Sequence, residues 1–270
     1  MNHPLVTIIV GNTHTSCQGW SCNGVAIGEN TWLTADALAQ RATIDYEKIF
    51  GGLLAEMSTV FVLGGVVPRY QPQLRDWLAQ HGYGVKAFRT EILPRIEIIP
   101  QPPENVGDDR IAAALGALAL HPDTPAVVVD AGTALTVNAV TPSVDGALPR
   151  FEGGVIMPGQ ELMLSALSSN TARLPHVDED PNRESAEHIG RSTEQAMRWG
   201  AWHAYSQGAL ASAFGQVRAL GKGARVILTG GGAPALAPAF RTAFRTAAPV
   251  EVQPQLVHRG LFAAFQDSRA

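Results

Sequence analysis

An α/β fold built from two similar halves is what this sequence predicts, and three observations carry the prediction. Short Val- and Ile-rich runs, each closely followed by Gly, alternate with longer Ala- and Leu-rich stretches. One strand-and-turn pattern occurs twice, and a Pro-containing seam separates the two copies.

The apolar runs are Leu5 to Val10, Val60 to Leu63, Ala126 to Val129 and Arg225 to Leu228. Continuous apolarity over so few residues marks strands covered on both faces. Two helices are expected among them. One spans Asp109 to Leu120; the other spans Thr193 to Leu220, with Ser192 or Thr193 as N-cap and Glu194 and Gln195 in its first turn. The repeated pattern is Ile8-Ile9-Val10-Gly11-Asn12-Thr13, which returns as Val128-Val129-Asp130-Ala131-Gly132-Thr133 and points to a duplicated domain. Each copy is a buried strand running into a Gly and then a hydroxyl. Such a turn offers backbone N–H groups and a side-chain OH to a phosphate. A turn that binds nothing has the same sequence, and it is the repetition that favours function. The seam His121-Pro122-Asp123-Thr124-Pro125 interrupts both patterns and sets the expected domains at 1–121 and 122–270. A polar stretch from Pro175 to Glu187 reads as a loop or flap.

Composition narrows the function classes. With 270 residues, 46% hydrophobic and 16% charged, the chain buries a sizeable core, which excludes disorder and collagen-like repetition. Twenty Lys and Arg against 24 Asp and Glu give a net charge of -4, without a run of five like charges. No nucleic-acid or anionic-membrane footprint is therefore expected, and the partner is a small molecule. Cys17 and Cys22 are too few for a disulfide framework or a Cys-rich zinc site, so a reduced, cytoplasmic setting is expected. Neither a signal peptide nor a transmembrane helix is expected, because no stretch has the required pattern.

Chemistry concentrates at four places. Gly107-Asp108-Asp109-Arg110 puts two carboxylates and a guanidinium at a helix start. One aspartate there reads as a cap complementing the helix dipole; the other, beside a Gly and an anion-fixing Arg, reads as catalytic. Asp130 stands at the exit of an otherwise apolar strand, where a charge requires a partner or a cation. Gly153-Gly154-Val155-Ile156-Met157-Pro158-Gly159 and Thr229-Gly230-Gly231-Gly232-Ala233 add two further Gly-rich turns. None matches a P-loop or a dinucleotide-binding fingerprint, yet Gly-rich strand exits in this number imply a polyphosphate.

The order of these motifs resembles type III pantothenate kinase. The residues that carry the resemblance are Gly11-Asn12-Thr13, Val66-Val67-Pro68, Gly107-x-Asp109-Arg110, Asp130-x-Gly132-Thr133-Ala134-x-Thr136, Gly153-Gly154-x-Ile156-x-Pro158-Gly159, Thr171-Ala172-x-Leu174-Pro175, Gly190-x-x-Thr193 and Thr229-Gly230-Gly231. They span nearly the whole chain. The resemblance implies two ribonuclease-H-like domains of the actin, Hsp70 and sugar-kinase superfamily. It also implies transfer of the ATP γ-phosphoryl group to the primary hydroxyl of pantothenate, the first committed step of coenzyme A synthesis. Position by position, Asp109 resembles the general base, with Gly107, Asp108 and Arg110 lining the pantothenate site and Thr193 contacting substrate, in such dimers that of the neighbouring subunit. Thr133 and the Gly11 to Ser16 turn, with Gly11, Asn12 and Thr13 foremost, resemble ATP contacts. Asp130 resembles the ligand of a monovalent cation, K⁺ or NH₄⁺, and Mg²⁺ and a homodimer are implied as well.

The departures from the family pattern are specific. Its first motif begins with Asp where this chain has Ile9. Asn138 stands where Asp is frequent, Gly64-Gly65 where two serines precede Val-Val-Pro, and Pro100 and Ala113 where Tyr and Asn are usual near the substrate. Ile9 opens a second reading, a non-catalytic binding or regulatory relative, since the family includes members named as accessory factors to transcription.

Overall fold

The computed structural model describes residues 5–21, 23–33, 60–67, 70–92, 94–179 and 189–269. Pro68, Cys22 and most of the expected 175–187 loop lie outside the described residues. The described chain divides into two compact units. The first comprises residues up to Pro122 together with Gly146–Pro149 and Leu256 onward; the second comprises Asp123–Asp145 and Arg150–Gln255.

The first unit is built on a mixed sheet whose order is β3-β2-β1-β4-β5. Its strands are β1 (Leu5–Val10), β2 (His14–Trp20), β3 (Ala26–Leu33), β4 (Val60–Gly65) and β5 (Gly84–Ala87). β1 runs antiparallel to β2 and parallel to β4. On one face of β1, Val6, Ile8 and Val10 pack with Cys17, Phe61, Leu63, Tyr70, Leu74 and Leu78, and helix α1 (Gln71–Gln80) supplies the last two leucines. A π-helical turn (Phe88–Ile92) and the short strand β6 (Glu97–Ile98) lead to helix α2 (Asp108–Leu120).

The other face of β1, with Thr7 and Ile9, belongs to the C-terminal helix. In the second unit the strands are β7 (Ala126–Ala131), β8 (Ala134–Thr141), β9 (Arg150–Pro158), β10 (Arg225–Thr229) and β11 (Val250–Val252). They run in the order β11-β10-β7-β8-β9. β7 is antiparallel to β8 and parallel to β10, and β10 is parallel to β11, just as β1 is antiparallel to β2 and parallel to β4, and β4 is parallel to β5. The two sheets therefore repeat one topology. Helices α3 (Gln160–Ser169), α4 (Thr193–Leu220) and α5 (Ala233–Phe244) complete this unit. Tyr205, Ala209, Ala213 and Val217 of α4 recur at a spacing of four, which puts them on one helix face against Val127, Val129, Leu135 and Val137.

Helix α6 (Leu256–Asp267) corrects an expectation. By position it falls in the expected 122–270 domain, yet it packs in the first unit. The reason is a glycine-to-glycine crossing with α2. A Cβ on Gly260 would strike the carbonyl oxygen of Ala112, and one on Gly116 would strike that of Leu256, so only glycine lets the two backbones approach this closely. Trp20 and Phe262 add a ring contact of 4.9 Å between centroids. Among the described residues no helix is long and apolar enough to cross a membrane.

Candidate active site

In the first unit, the exits of β1 and β4 meet the start of α2. Val66 N–H donates to Val10 O at 2.9 Å, tying the two strand exits together, and Gly11 N–H donates to His14 O at 3.0 Å to close the turn into β2. Asn12 at the turn's tip is exposed and Thr13 half-buried. A Cβ on Gly107 would lie 3.2 Å from a Val66 methyl, which brings the start of α2 against this edge.

Both aspartates fall in the first turn of α2, where unpaired N–H groups and the helix dipole favour negative charge. Their surroundings separate them. Asp108 Oδ2 accepts from Gly65 N–H at 2.9 Å, and its Oδ1 lies 4.0 Å from the Arg89 guanidinium. Arg89 also donates to Val106 O at 3.1 Å and to Pro103 O at 3.0 Å, fixing the loop before the helix. Asp109 Oδ1 accepts from Arg110 N–H, within its own turn, at 2.8 Å. Burial pushes both carboxyls above their ordinary range. The Gly65 N–H and then Arg89 counter it at Asp108; the Arg110 N–H and charge counter it at Asp109. Burial likewise lowers Arg110, while Asp109 opposes that fall.

On its β4 side, position 9 meets hydrocarbon. Ile9 is half-buried, and its Cδ1 lies 3.4 Å from where a Cβ on Gly64 would stand, beside Leu261 of α6. Ala113 is buried inside α2, and Pro100 is half-buried.

The second unit has a matching edge. Asp130, half-buried at the end of β7, has Oδ1 2.5 Å from where a Cβ on Gly230 would stand; Gly230 has φ +82°, so only glycine suits that turn on both counts. Gly232 N–H donates to Ala131 O at 2.8 Å, and Gly159 N–H donates to Thr133 O at 3.0 Å, drawing three Gly-containing turns around the β7 exit. Thr133 is half-buried. Asn138 is buried, with its amide donating to Thr136 Oγ1 at 2.9 Å. Thr193 is exposed in the first turn of α4, and the cap there is Ser192, whose Oγ accepts from Gln195 N–H at 3.2 Å.

The structure thus groups Gly11, Gly107, Asp108, Asp109 and Arg110 at one strand edge and Asp130 and Thr133 at the other. Arg89 and the Gly65 N–H belong to the first group, and sequence reasoning missed them: Arg89 sits in a stretch without periodicity, and a main-chain donor leaves no residue-type signature.

A family model described as type III pantothenate kinase matches residues 5–211. A type III pantothenate kinase of Streptomyces griseus is 31% identical over 241 residues, covering 85% of this chain and 88% of that one. One of Akkermansia muciniphila is 34% identical over 178 residues, covering 65% and 68%. One of Aromatoleum aromaticum is 40% identical over 136 residues, half of each chain. Among solved structures, a Campylobacter jejuni protein described as a Baf-family transcriptional activator superposes with a TM-score of 0.57 at 19% identity over 98% of both chains. The Acidaminococcus fermentans (R)-2-hydroxyglutaryl-CoA dehydratase component A does so with 0.50 at 12% identity, over 99% of this chain and 100% of that one. These likenesses show the fold.

Proposed function

This chain belongs to the type III pantothenate kinase family, and we propose that it phosphorylates pantothenate, the step that opens coenzyme A biosynthesis, with Asp109 as general base. The observation that carries this reading is the sorting of two adjacent carboxylates. Both carboxyls are half-buried and raised by burial, but Asp108 is tied to Gly65 N–H and lies 4.0 Å from Arg89, whereas Asp109 accepts from Arg110 N–H within its own turn. A base with a raised carboxyl takes a proton at lower driving-force cost near neutral pH.

In this reading Asp109 accepts the proton of the primary hydroxyl as that oxygen bonds to the γ-phosphorus of ATP, and the bond to the β–γ bridging oxygen breaks to release ADP. The family resemblance assigns Gly107, Asp108, Arg110 and Thr193 to pantothenate and Gly11, Asn12, Thr13 and Thr133 to the nucleotide. Phosphoryl transfer asks mainly for such positioning and charge neutralisation. Asp130, whose carboxylate lies by the same Gly230 turn as the Ala131 carbonyl, is the oxygen ligand this reading assigns to a monovalent cation, K⁺ or NH₄⁺. Mg²⁺, when bound with ATP, would neutralise phosphate charge; Ile9 offers it no oxygen, so hydroxyl and carboxylate oxygens elsewhere on this edge are what fit its water shell.

A cytoplasmic homodimer completes the proposal. Val155 and Ile156 of β9 and Leu162 and Leu167 of α3 are 37–62% exposed in one stretch of chain, as a subunit interface requires. Light scattering at micromolar concentration is expected to give a dimer mass. The reaction itself is tested by coupled ADP release with pantothenate, Mg-ATP and K⁺ or NH₄⁺. Pantothenate-dependent ADP release is expected; its absence from folded protein would favour the non-catalytic reading that Ile9 suggests.

A further inference from the structure

Beneath the β1 exit lies a buried polar network that the proposed reaction does not use. His258 of α6 is 7% exposed, with Nδ1 3.0 Å from Thr7 Oγ1 and Nε2 2.9 Å from Ser16 Oγ. Trp20 Nε1–H donates to Thr7 Oγ1 at 2.8 Å, and Thr7 Oγ1 donates to Gln18 O at 3.3 Å. Ser16 is half-buried and directly opposite Ile9 on the neighbouring strand, so the two side chains share a face of the sheet.

Counting donors and acceptors leaves two proton arrangements, one with Thr7 donating to Gln18 O and one with Thr7 donating to His258 Nδ1. An indole N–H only donates, and a carbonyl oxygen only accepts. In the arrangement that keeps the bond to Gln18 O, which the proposal adopts, Thr7 receives one hydrogen bond from Trp20 and gives its own proton to that carbonyl. Its remaining lone pair accepts from His258, so Nδ1 carries the ring proton and Nε2 is bare. Ser16 must then donate to Nε2. Burial keeps the ring neutral by lowering its pKa to about 4, in agreement with one protonated nitrogen. The Ser16 hydroxyl is left with lone pairs turned away from His258.

That polarity selects a ligand. Phosphate oxygens are acceptors and gain nothing from a hydroxyl whose proton is committed, whereas a water bound to a cation is a strong donor. We propose that Ser16 is the acceptor oxygen this edge presents to the water shell of the divalent cation accompanying the nucleotide, at the place where Ile9 supplies no carboxylate, and that His258 is the positioning residue that imposes its polarity. This inference rests on the nucleotide reading of the Gly11–Ser16 turn and adds the cation-facing role within it.

The test is calorimetric titration of the full chain with ATP, in the presence and absence of Mg²⁺. Ser16→Ala is expected to weaken Mg-ATP binding about tenfold while leaving metal-free ATP affinity unchanged. His258→Asn keeps a group at the Nδ1 position and loses the Ser16 partner; His258→Gln does the reverse. The Asn variant should follow Ser16→Ala, and the Gln variant should bind Mg-ATP within about twofold of wild type. Nitrogen-15 spectra of the imidazole should show a bare Nε2. A Ser16→Ala protein that binds Mg-ATP as wild type does, or loses metal-free and Mg-ATP affinity equally, overturns the proposal, as does an Nε2–H tautomer. If the His258 variants do not fold, Ser16→Ala and the wild-type spectrum decide. Wild-type protein that binds Mg-ATP without phosphorylating pantothenate overturns only the kinase reading; wild-type protein that binds no Mg-ATP overturns both.

Discussion

At the exit of β1, Ile9 lies between Ser16 on β2 and Gly64 on β4; at the exit of β7, Asp130 lies between Thr136 on β8 and Thr229 on β10. The strand connections are the same, and so is the place in the sheet. The chemistry is opposite. In the second unit the charge sits on the strand itself and is packed against the Gly230 turn. In the first unit the strand position is hydrocarbon, and the carboxylates stand on the adjoining helix start, at Asp108 and Asp109. The comparison teaches that the duplicated scaffold specifies where a strand exit points, while single side chains decide what it can bind.

The largest expected effect comes from removing the charge that the first unit keeps on its helix. Asp109→Asn should leave the fold intact and lower turnover by about two orders of magnitude or more, the usual share of acid–base assistance. Asp108→Asn should instead raise the KM for pantothenate and lower thermal stability, since it loosens the tie to Gly65 and Arg89. Steady-state kinetics on both variants checks the division; wild-type-like turnover in Asp109→Asn would undo it.

The buried histidine beneath the β1 exit has no counterpart at β7 among the assigned site residues, and it makes the first unit acid-sensitive. Its folded pKa, about 4, lies below the ordinary 6.5, so the unfolded chain binds the extra proton as pH falls. Stability contributed by neutral His258 is therefore present above about pH 6.5 and declines toward pH 4, by about 2 kcal/mol between pH 7 and pH 5. The raised carboxyls of Asp108 and Asp109 act with the opposite sign, gaining stability as pH falls. Denaturant melts of wild type and His258→Gln at both pH values separate them: the difference between the two proteins should shrink at pH 5. A constant difference would show that the ring does not titrate in the expected window.

At the β7 exit, Asp130→Asn keeps shape and removes charge. Activation by K⁺ or NH₄⁺ should weaken about tenfold, the scale of one lost ionic contact in a partly exposed site. Activity measured across K⁺ concentrations, with Na⁺ as the control, reads it out. Unchanged K⁺ dependence would place the cation elsewhere.

The four apolar runs became β1, β4, β7 and β10 because strands buried on both faces must be continuously apolar. β2, reading His-Thr-Ser-Cys-Gln-Gly-Trp, escaped the same reasoning, since its outer residues form the polar network with His258 and Thr7. β9 escaped because Gly153 and Gly154 interrupt it; a Cβ on Gly154 would strike Val137 O. The repeated pattern was legible, but its alignment was one residue out. It matched Val10 to Asp130, whereas strand pairing matches Ile9 to Asp130. An apolar run carries no internal marker, and a slip of one residue exchanges the two faces: Val10 is core, while Ile9 faces α6. The family motif, with its Asp at position 9, supplies the marker the run lacks. Asp109 and Asp130 were legible as charges out of place. Arg89 and His258 were not, and neither was the pairing of Ser16 with His258, because these roles arise from contacts between residues up to 251 positions apart.

The smallest expected effect is also the most direct test of the comparison, because it makes the β1 exit resemble the β7 exit. Ile9→Asp exchanges a half-buried aliphatic group beside Leu261 for a carboxylate. Position 9 is only half-buried and adjoins the Ser16 hydroxyl, so the cost should be about 1 kcal/mol, far from that of an unpaired charge in a closed core. The carboxylate and Ser16 would then stand on one face as two oxygen acceptors for one hydrated cation. Mg-ATP affinity should rise a few-fold, and the loss caused by Ser16→Ala should become smaller in the Ile9→Asp background than in wild type. Additive effects in this double-mutant cycle would mean that positions 9 and 16 do not serve the same ligand. A variant that folds, melts within a few degrees of wild type and shows no change in Mg-ATP affinity would mean that the β1 exit does not meet the cation at all, and that the difference from β7 is one of packing.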